Sequence, residues 1–105
     1  MEKICAAAIK FYPKDSGWPV IVMSYRHAEC FGWMFKHQVD YEKFSHVQGF
    51  VTNANRFVDR YEAAQIAWRA RQFLEESNVY HQMTVDLEKN GVFTRAYMLF
   101  SEDLW

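Results

Sequence analysis

Residues 46–58 constrain the fold of this chain more than any other stretch. Two β-rich runs, His46-Val47-Gln48-Gly49-Phe50-Val51 and Arg56-Phe57-Val58, flank the polar tetrapeptide Thr52-Asn53-Ala54-Asn55. Asparagine tolerates positive φ and its side chain closes Asx turns, so this pattern predicts a tight β-hairpin. The fold must therefore contain antiparallel strands.

A helix is predicted directly after this hairpin. Asp59 is a residue type that caps helices, and Glu62 stands three positions later, close to the spacing of a capping box. The run from Ala63 to Leu74 is rich in helix formers and contains neither glycine nor proline. One face of this helix is apolar, lined by Ile66, Ala70, Phe73 and Leu74.

The N-terminal half predicts a second hairpin and a short helix. Residues 2–12 and 20–25 have the composition of strands, and residues 13–17 form the densest group of turn formers in the chain. From His27 the apolar residues recur with a helical period, which predicts a helix over residues 27–38.

The C-terminal part is less determined. Residues 78–87 fit a helix or a strand, and Asn90-Gly91 marks a turn. Residues 92–100 are read as a strand or an extended segment.

Length and charge limit the classes of function. A chain of 105 residues makes one domain, because two separate cores would each be too small. The net charge is −1, whereas proteins that bind long nucleic acids usually carry a basic surplus. No apolar run approaches the length of a membrane span, and two cysteines fit a reducing cytosol. An anionic partner is therefore expected to be a small ligand held by a few arginines, not a polymer or a membrane.

The sequence contains no recognisable catalytic motif or metal-binding motif. His27, Cys30 and His37 match no closed zinc pattern, and nothing near Cys30 would stabilise a thiolate. Paired carboxylates such as Glu75-Glu76 have the character of a solvated surface. We therefore expect a protein that is not an enzyme and that uses neither a metal nor a cofactor.

Two arginines near the predicted helix start suggest an anion site. Arg56 closes the asparagine hairpin, and Arg60 lies in the first helical turn, where free N–H groups and the helix dipole favour phosphate. Both guanidinium groups could add bidentate contacts to phosphate oxygens. The alternative is that they form surface ion pairs with Asp59 and Glu62. The spacing alone leaves both interpretations open.

Three blocks of the sequence resemble a known family. They are residues 48–70, with the pattern GF..N.RFV.R.EA..IA, residues 26–31, and the closing Leu99-Phe100-Ser101-Glu102-Asp103-Leu104-Trp105. Together these blocks are similar to the first Thoeris anti-defence family, small phage proteins that counter bacterial immunity in the cytoplasm of the infected host.

The resemblance implies a fold and a function. Members of that family are α+β proteins with an antiparallel sheet and two helices. They bind cyclic ADP-ribose isomers and hold them intact, so that the signal never reaches its effector. Their pockets lie between the protomers of a dimer, and some members form hexamers that also bind cyclic di- or trinucleotides. In these pockets aromatic rings stack on adenine and arginines hold the pyrophosphate.

By their position in the motif, Arg56 and Arg60 match the arginines of the family, and the resemblance implies that they bind the ligand. Proximity to the matched blocks adds four further candidates for ligand binding, which are Phe50, Asn53, Phe31 and His27. One departure concerns residue 71, where relatives usually have a glycine that ends the helix. Because this chain has Arg71 there, the helix is expected to continue to about Ser77.

Three functions are carried forward from the sequence. The first is sequestration of a cyclic ADP-ribose signal, the second is inhibition of a host enzyme through protein–protein contact, and the third is degradation of the signal. A homo-oligomer is expected, because the aromatic residues exceed the needs of one small core. The four tryptophans behind this expectation are Trp18, Trp33, Trp68 and Trp105.

Overall fold

Four antiparallel strands form one sheet in a computed structural model that describes residues 1–13, 17–37 and 45–105. The strands are β1 (Ile4–Phe11), β2 (Val20–Ser24), β3 (His46–Thr52) and β4 (Phe57–Asp59). Their spatial order is β2-β1-β3-β4. Both predicted hairpins are confirmed, although the turn predicted at 13–17 lies mostly outside the described residues.

The helices are α1 (His27–Lys36), α2 (Arg60–Arg69) and α3 (Asn78–Asn90), and a short 3-10 turn spans Ser101–Asp103. The predicted α+β class with an antiparallel sheet is therefore confirmed, but the described part of the chain contains three α-helices instead of the expected two. The undecided segment 78–87 is helical, while the residues from 92 to 100 contain no strand.

Helices α1 and α2 pack on the same face of the sheet. The strand register aligns Ala7 with Phe50 and Phe50 with Val58, and these residues meet the alanines of α2. On the same face, α1 inserts Cys30 and Met34 among residues of β1 and β2. Burial of these apolar side chains stabilises the two layers against each other.

The opposite face of the sheet is apolar and solvent-exposed. Its side chains alternate with those that meet the helices, and they include Ile21, Met23 and Val47, all more than two-fifths exposed. In the described ranges, no helix packs on this side. Of the four tryptophans, Trp68 and Trp105 pack against the core, whereas Trp18 and Trp33 are exposed.

Helix α2 ends earlier than the sequence predicted. Its last residue is Arg69, and Arg71 adopts the left-handed conformation with φ 56°. The backbone N–H of Gln72 donates to the Ala67 carbonyl at 2.9 Å, and that of Arg71 donates to the Trp68 carbonyl at 3.1 Å. This pair of bonds is the Schellman pattern that usually requires glycine. The prediction of a helix to Ser77 was wrong because Arg71 takes the conformation expected of the missing glycine.

Asp86 holds the C-terminal segment against α3. Its carboxylate accepts hydrogen bonds from the Thr94 backbone N–H at 2.9 Å and from the Tyr97 hydroxyl at 2.8 Å. These donors keep the pKa of Asp86 well below its usual range. The arrangement fixes the chain that leads to Leu99 and Phe100, the residues that contact α2 near its start.

Candidate functional site

Arg56 is engaged with carboxylates. Its Nε donates to Glu2 Oε2 at 2.9 Å, its Nη2 donates to Glu2 Oε1 at 2.8 Å, and its Nη1 lies 3.2 Å from Glu62 Oε2. The bidentate contact raises the pKa of Arg56 and lowers that of Glu2 to about 2. For Arg56, an ion-pair interpretation therefore describes the structure, with Glu62 as an expected partner and Glu2 as an unexpected one, whereas the Asp59 carboxylate caps α2 instead.

Arg60 has different surroundings. Its Nη1 donates to the Leu99 carbonyl at 2.7 Å and its Nη2 donates to Gln48 Oε1 at 2.5 Å. The guanidinium carbon lies 4.7 Å from the ring centroid of Phe100. Among the residues that the structure describes, no carboxylate forms an ion pair with Arg60. Burial lowers the pKa of Arg60, although Glu102 and Asp103 act in the opposite direction from a greater distance.

A groove of about 360 Å³ opens beside Arg60. It lies between the start of β3, the start of α2 and the C-terminal segment, and its walls include Gln48, Tyr61 and Met98. Asp59 also lines the groove, where its Oδ1 accepts a hydrogen bond from the Glu62 backbone N–H at 2.8 Å and caps α2. The groove is thus lined by the Arg60 cation, the rings of Tyr61 and His46, and the capping carboxylate of Asp59.

The two predicted arginines lie at opposite ends of β4. Arg56 precedes this strand and faces Glu2, whereas Arg60 follows it and faces Leu99. At about 3.3 Å per strand residue, four residues separate their Cα atoms by roughly 13 Å. The structure therefore does not join them into a single clamp within one copy of the chain.

Phe50 and His27 belong to the core. Phe50 is fully buried, and the His27 ring meets it edge-on with centroids 5.0 Å apart. His27 Nε2 donates to the Gly49 carbonyl at 2.7 Å, and burial lowers the pKa of the ring. Both side chains are thus buried in the core, and their contact with a ligand stays a prediction. Phe50 lies on the face of β3 that meets the helices, and His27 lies at the start of α1 on the same side of the sheet.

Asn53 and Phe31 are more accessible but lie apart from Arg60. Asn53 Oδ1 accepts from the Lys3 backbone N–H at 2.9 Å, and its Nδ2 donates to the Met1 carbonyl at 3.3 Å. It also lines a cavity of about 550 Å³ on the open face of the sheet. Phe31 is half-buried beside the α1 core, with its ring edge-on to His46 at 6.0 Å between centroids.

The residues that position Arg60 could not be identified from sequence spacing. Gln48 and Phe100 hold its guanidinium although they are 12 and 40 positions away in the chain. Both residues fall inside the matched blocks at 48–70 and 99–105, and this shared membership was the available signal. Membership in a matched block indicates that a segment is shared with the family, but it does not show that the two blocks are in contact.

Cys30 is a buried thiol. Its Sγ donates to the Val22 carbonyl at 3.5 Å, and burial raises its pKa to about 11. A thiol with a raised pKa carries little thiolate at neutral pH and is a weak nucleophile there. The described ranges contain no group of three His, Cys, Asp or Glu side chains that could hold a metal ion, and none of their helices is long and apolar enough to cross a membrane.

Comparison with protein families gives a match over nearly the whole chain. A family model described as the phage T4 y16D protein matches residues 3–105, nearly the whole chain. The chain belongs to the phage T4 y16D protein family. No curated protein and no solved structure matches it. Membership in the y16D family supports the phage character implied by the resemblance, and it names no ligand.

Proposed function

We propose that this y16D-family protein binds a cyclic ADP-ribose isomer and sequesters it without degrading it. The proposal is supported by the resemblance of three sequence blocks to the first Thoeris anti-defence family and by the phage family match. In this proposal the protein acts in the cytoplasm of the infected bacterium, where it keeps the signal from its effector.

The observation that carries the proposal is the environment of Arg60. A partly buried charge is normally paired with an opposite charge, because removing it from water is costly. Arg60 is half-buried with no ion-pair partner among the described residues, and its guanidinium is fixed by Gln48, Leu99 and Phe100. A phosphate in the adjoining groove would supply the missing charge, and the fixed guanidinium would lose little entropy on binding it.

The groove beside Arg60 is shallow in one copy of the chain, so we propose that a second copy completes the site. The open face of the sheet provides the contact surface, and it includes one charged group, Lys10, whose Nζ lies 5.7 Å from the centroid of the Phe57 ring. Strand spacing and length give this face roughly 350–400 Å² in projection. Protruding side chains such as Met23 and Tyr25 enlarge the accessible area toward the roughly 800 Å² per partner of a standard interface.

Calorimetric titration with a panel of cyclic ADP-ribose isomers tests the proposal, with cyclic di- and trinucleotides included as competing ligands. Tight stoichiometric binding of one isomer is expected. Arg60→Met should weaken it about ten- to a hundredfold, because charge-assisted hydrogen bonds to phosphate are lost. Arg69→Met, on the same helix but exposed, is the matched control and should bind normally. Normal binding by Arg60→Met would remove this groove from the site.

Recovery of the ligand separates sequestration from catalysis. Heating the complex should release the intact cyclic nucleotide, and a small amount of protein should not turn over an excess of signal. Cleaved product under these conditions would instead support the degradation hypothesis.

Inhibition of a host enzyme by direct contact is the second candidate function. Phe35 and Trp18 are about four-fifths exposed, and large exposed aromatic side chains are frequent anchors in protein interfaces. In that case no member of the nucleotide panel would bind, and replacement of both aromatic residues by Ser would abolish protection in an infection assay.

A further inference from the structure

A second cavity lies just beyond the other end of α2. It measures about 430 Å³, within the size range of small-molecule pockets, and is lined by Trp68, Arg71, Phe73 and Tyr80. Tyr80 lies 5.6 Å from Trp68 and 5.7 Å from Phe73 between ring centroids, and it is nearly parallel to Phe73. Three aromatic residues and Arg71 therefore line one cavity.

Arg71 has an unfavourable backbone conformation at the edge of this cavity. Its φ of 56° is one that glycine adopts freely and that an L side chain adopts only with strain. Its side chain is exposed and has no hydrogen bond or ion pair within the described ranges. No contact among the residues that the structure describes thus explains why an arginine stands here, and strained residues are concentrated at ligand-binding positions.

The cavity also contains polar groups without protein partners. In the described part of the chain, neither the Trp68 indole N–H nor the Tyr80 hydroxyl forms a hydrogen bond. Together with the Arg71 guanidinium, they leave several donors and three half-buried rings available to a bound molecule. This combination of groups would complement a ligand in which a flat apolar ring is joined to an anionic group.

We propose that this cavity binds a planar aromatic ring that carries an anionic group, as in a nucleoside monophosphate. The base stacks on the aromatic rings, and Arg71 donates hydrogen bonds to the phosphate. The site is separate from the Arg60 groove, because Arg60 begins α2 and Arg71 follows its other end, and the helix from Arg60 to Arg69 spans roughly 14 Å. The proposal for this cavity does not depend on the function proposed for the groove beside Arg60.

Titration with adenosine 5′-monophosphate, adenosine and ribose 5-phosphate tests the site. Saturable binding of the monophosphate is expected, with a Kd of about 10 µM to 1 mM for a ligand of this size. Adenosine should bind about ten- to a hundredfold more weakly, because it cannot engage Arg71, and ribose 5-phosphate should also bind weakly, because it cannot stack.

Variants assign the binding to this cavity. Arg71→Gly, which suits the local backbone, should reduce monophosphate affinity to that of adenosine and leave adenosine affinity unchanged. Tyr80→Leu should weaken both ligands, whereas Arg69→Ala and Arg60→Met should weaken neither. Absence of saturable binding at about 10 mM, or full monophosphate binding by Arg71→Gly, would contradict the proposal. Loss of binding in Arg60→Met alone would place the ligand in the other groove.

Discussion

The side chain of Gln72 pairs with both backbone polar groups of Ile4. The Ile4 N–H donates to Gln72 Oε1 at 2.8 Å, and Gln72 Nε2 donates to the Ile4 carbonyl at 2.8 Å. The amide therefore bonds to β1 as a neighbouring strand would, at the irregularity between Ile4 and Ala6. This contact ties the chain after α2 to the start of the sheet and determines where Arg71 must turn.

Gln72→Ala is expected to destabilise the protein by about 1–3 kcal/mol, because the two polar groups of Ile4 lose their partners at a largely buried position. For a domain of this size, the midpoint of thermal unfolding should fall by roughly 4–8 °C per kcal/mol. Differential scanning calorimetry measures the effect. Glu75→Ala, at an exposed position three residues later, should change the midpoint by much less.

Arg71→Gly is expected to stabilise the protein by about 0.5–1 kcal/mol. Glycine removes the strain of the left-handed conformation, and the greater entropy of glycine in the unfolded chain offsets part of the gain. Urea denaturation measures the difference. Arg71→Ala is the matched control, since it removes the same side chain but keeps the strain, and it should give no comparable gain.

The sequence predicted the local elements well. The asparagine hairpin is present, with Asn55 at a positive φ of 58°, and Asp59 caps α2 as its residue type indicated. Helix α1 begins at the predicted His27. These features depend on residues within a few positions of one another, and for that reason they can be read from a single sequence.

The features that the sequence missed depend on distant contacts. The end of α2 is determined in part by Gln72 and Ile4, 68 positions apart. The difference between the two arginines has the same origin, because Arg56 meets Glu2 while Arg60 meets Leu99. The spacing of the motif does not distinguish the two arginines. The three-dimensional structure shows that Arg56 is paired with a carboxylate, whereas Arg60 has no such partner among the described residues.

Gly49→Ala is expected to destabilise the sheet severely. A Cβ at this position would lie 2.2 Å from the Val58 carbonyl oxygen and 2.7 Å from Phe57 Cζ, and the carbonyl cannot move without disturbing the pairing of β3 with β4. Gly32→Ala is the matched control, because a Cβ there meets nothing within 4 Å and alanine favours helix α1 by about 0.5–1 kcal/mol. Circular dichroism during heating should show a lower unfolding midpoint for Gly49→Ala and a higher one for Gly32→Ala. Equal changes in the midpoint would contradict this account.

The proposed dimer predicts a change of mass in a sheet-face variant. Met23→Lys places a charge on the open apolar face, where it would be desolvated by a second copy. Light scattering should give at least twice the 12.6 kDa chain mass for the original protein and a monomer for the variant. Val85→Lys alters an exposed residue of α3 and should leave the mass unchanged. A monomeric original protein at micromolar concentration would overturn the dimer.

The ion pair between Glu2 and Arg56 predicts a loss of stability in acid. The pKa of Glu2 is lowered from 4.5 to about 2 in the folded protein, so between these values the unfolded chain binds more protons than the folded one. The contribution of Glu2 is therefore complete above pH 4.5 and is lost as the pH falls through about 2. Urea denaturation across this range measures the slope of stability against pH.

For Glu2→Gln, the slope of stability against pH should be shallower over the same range. The variant should keep the pH dependence that comes from Asp86, whose pKa is also lowered. Because the pair is exposed, about 1 M salt should shrink the difference between the original protein and the variant. Identical slopes for the two proteins at low salt would show that the contact between Glu2 and Arg56 does not form in solution.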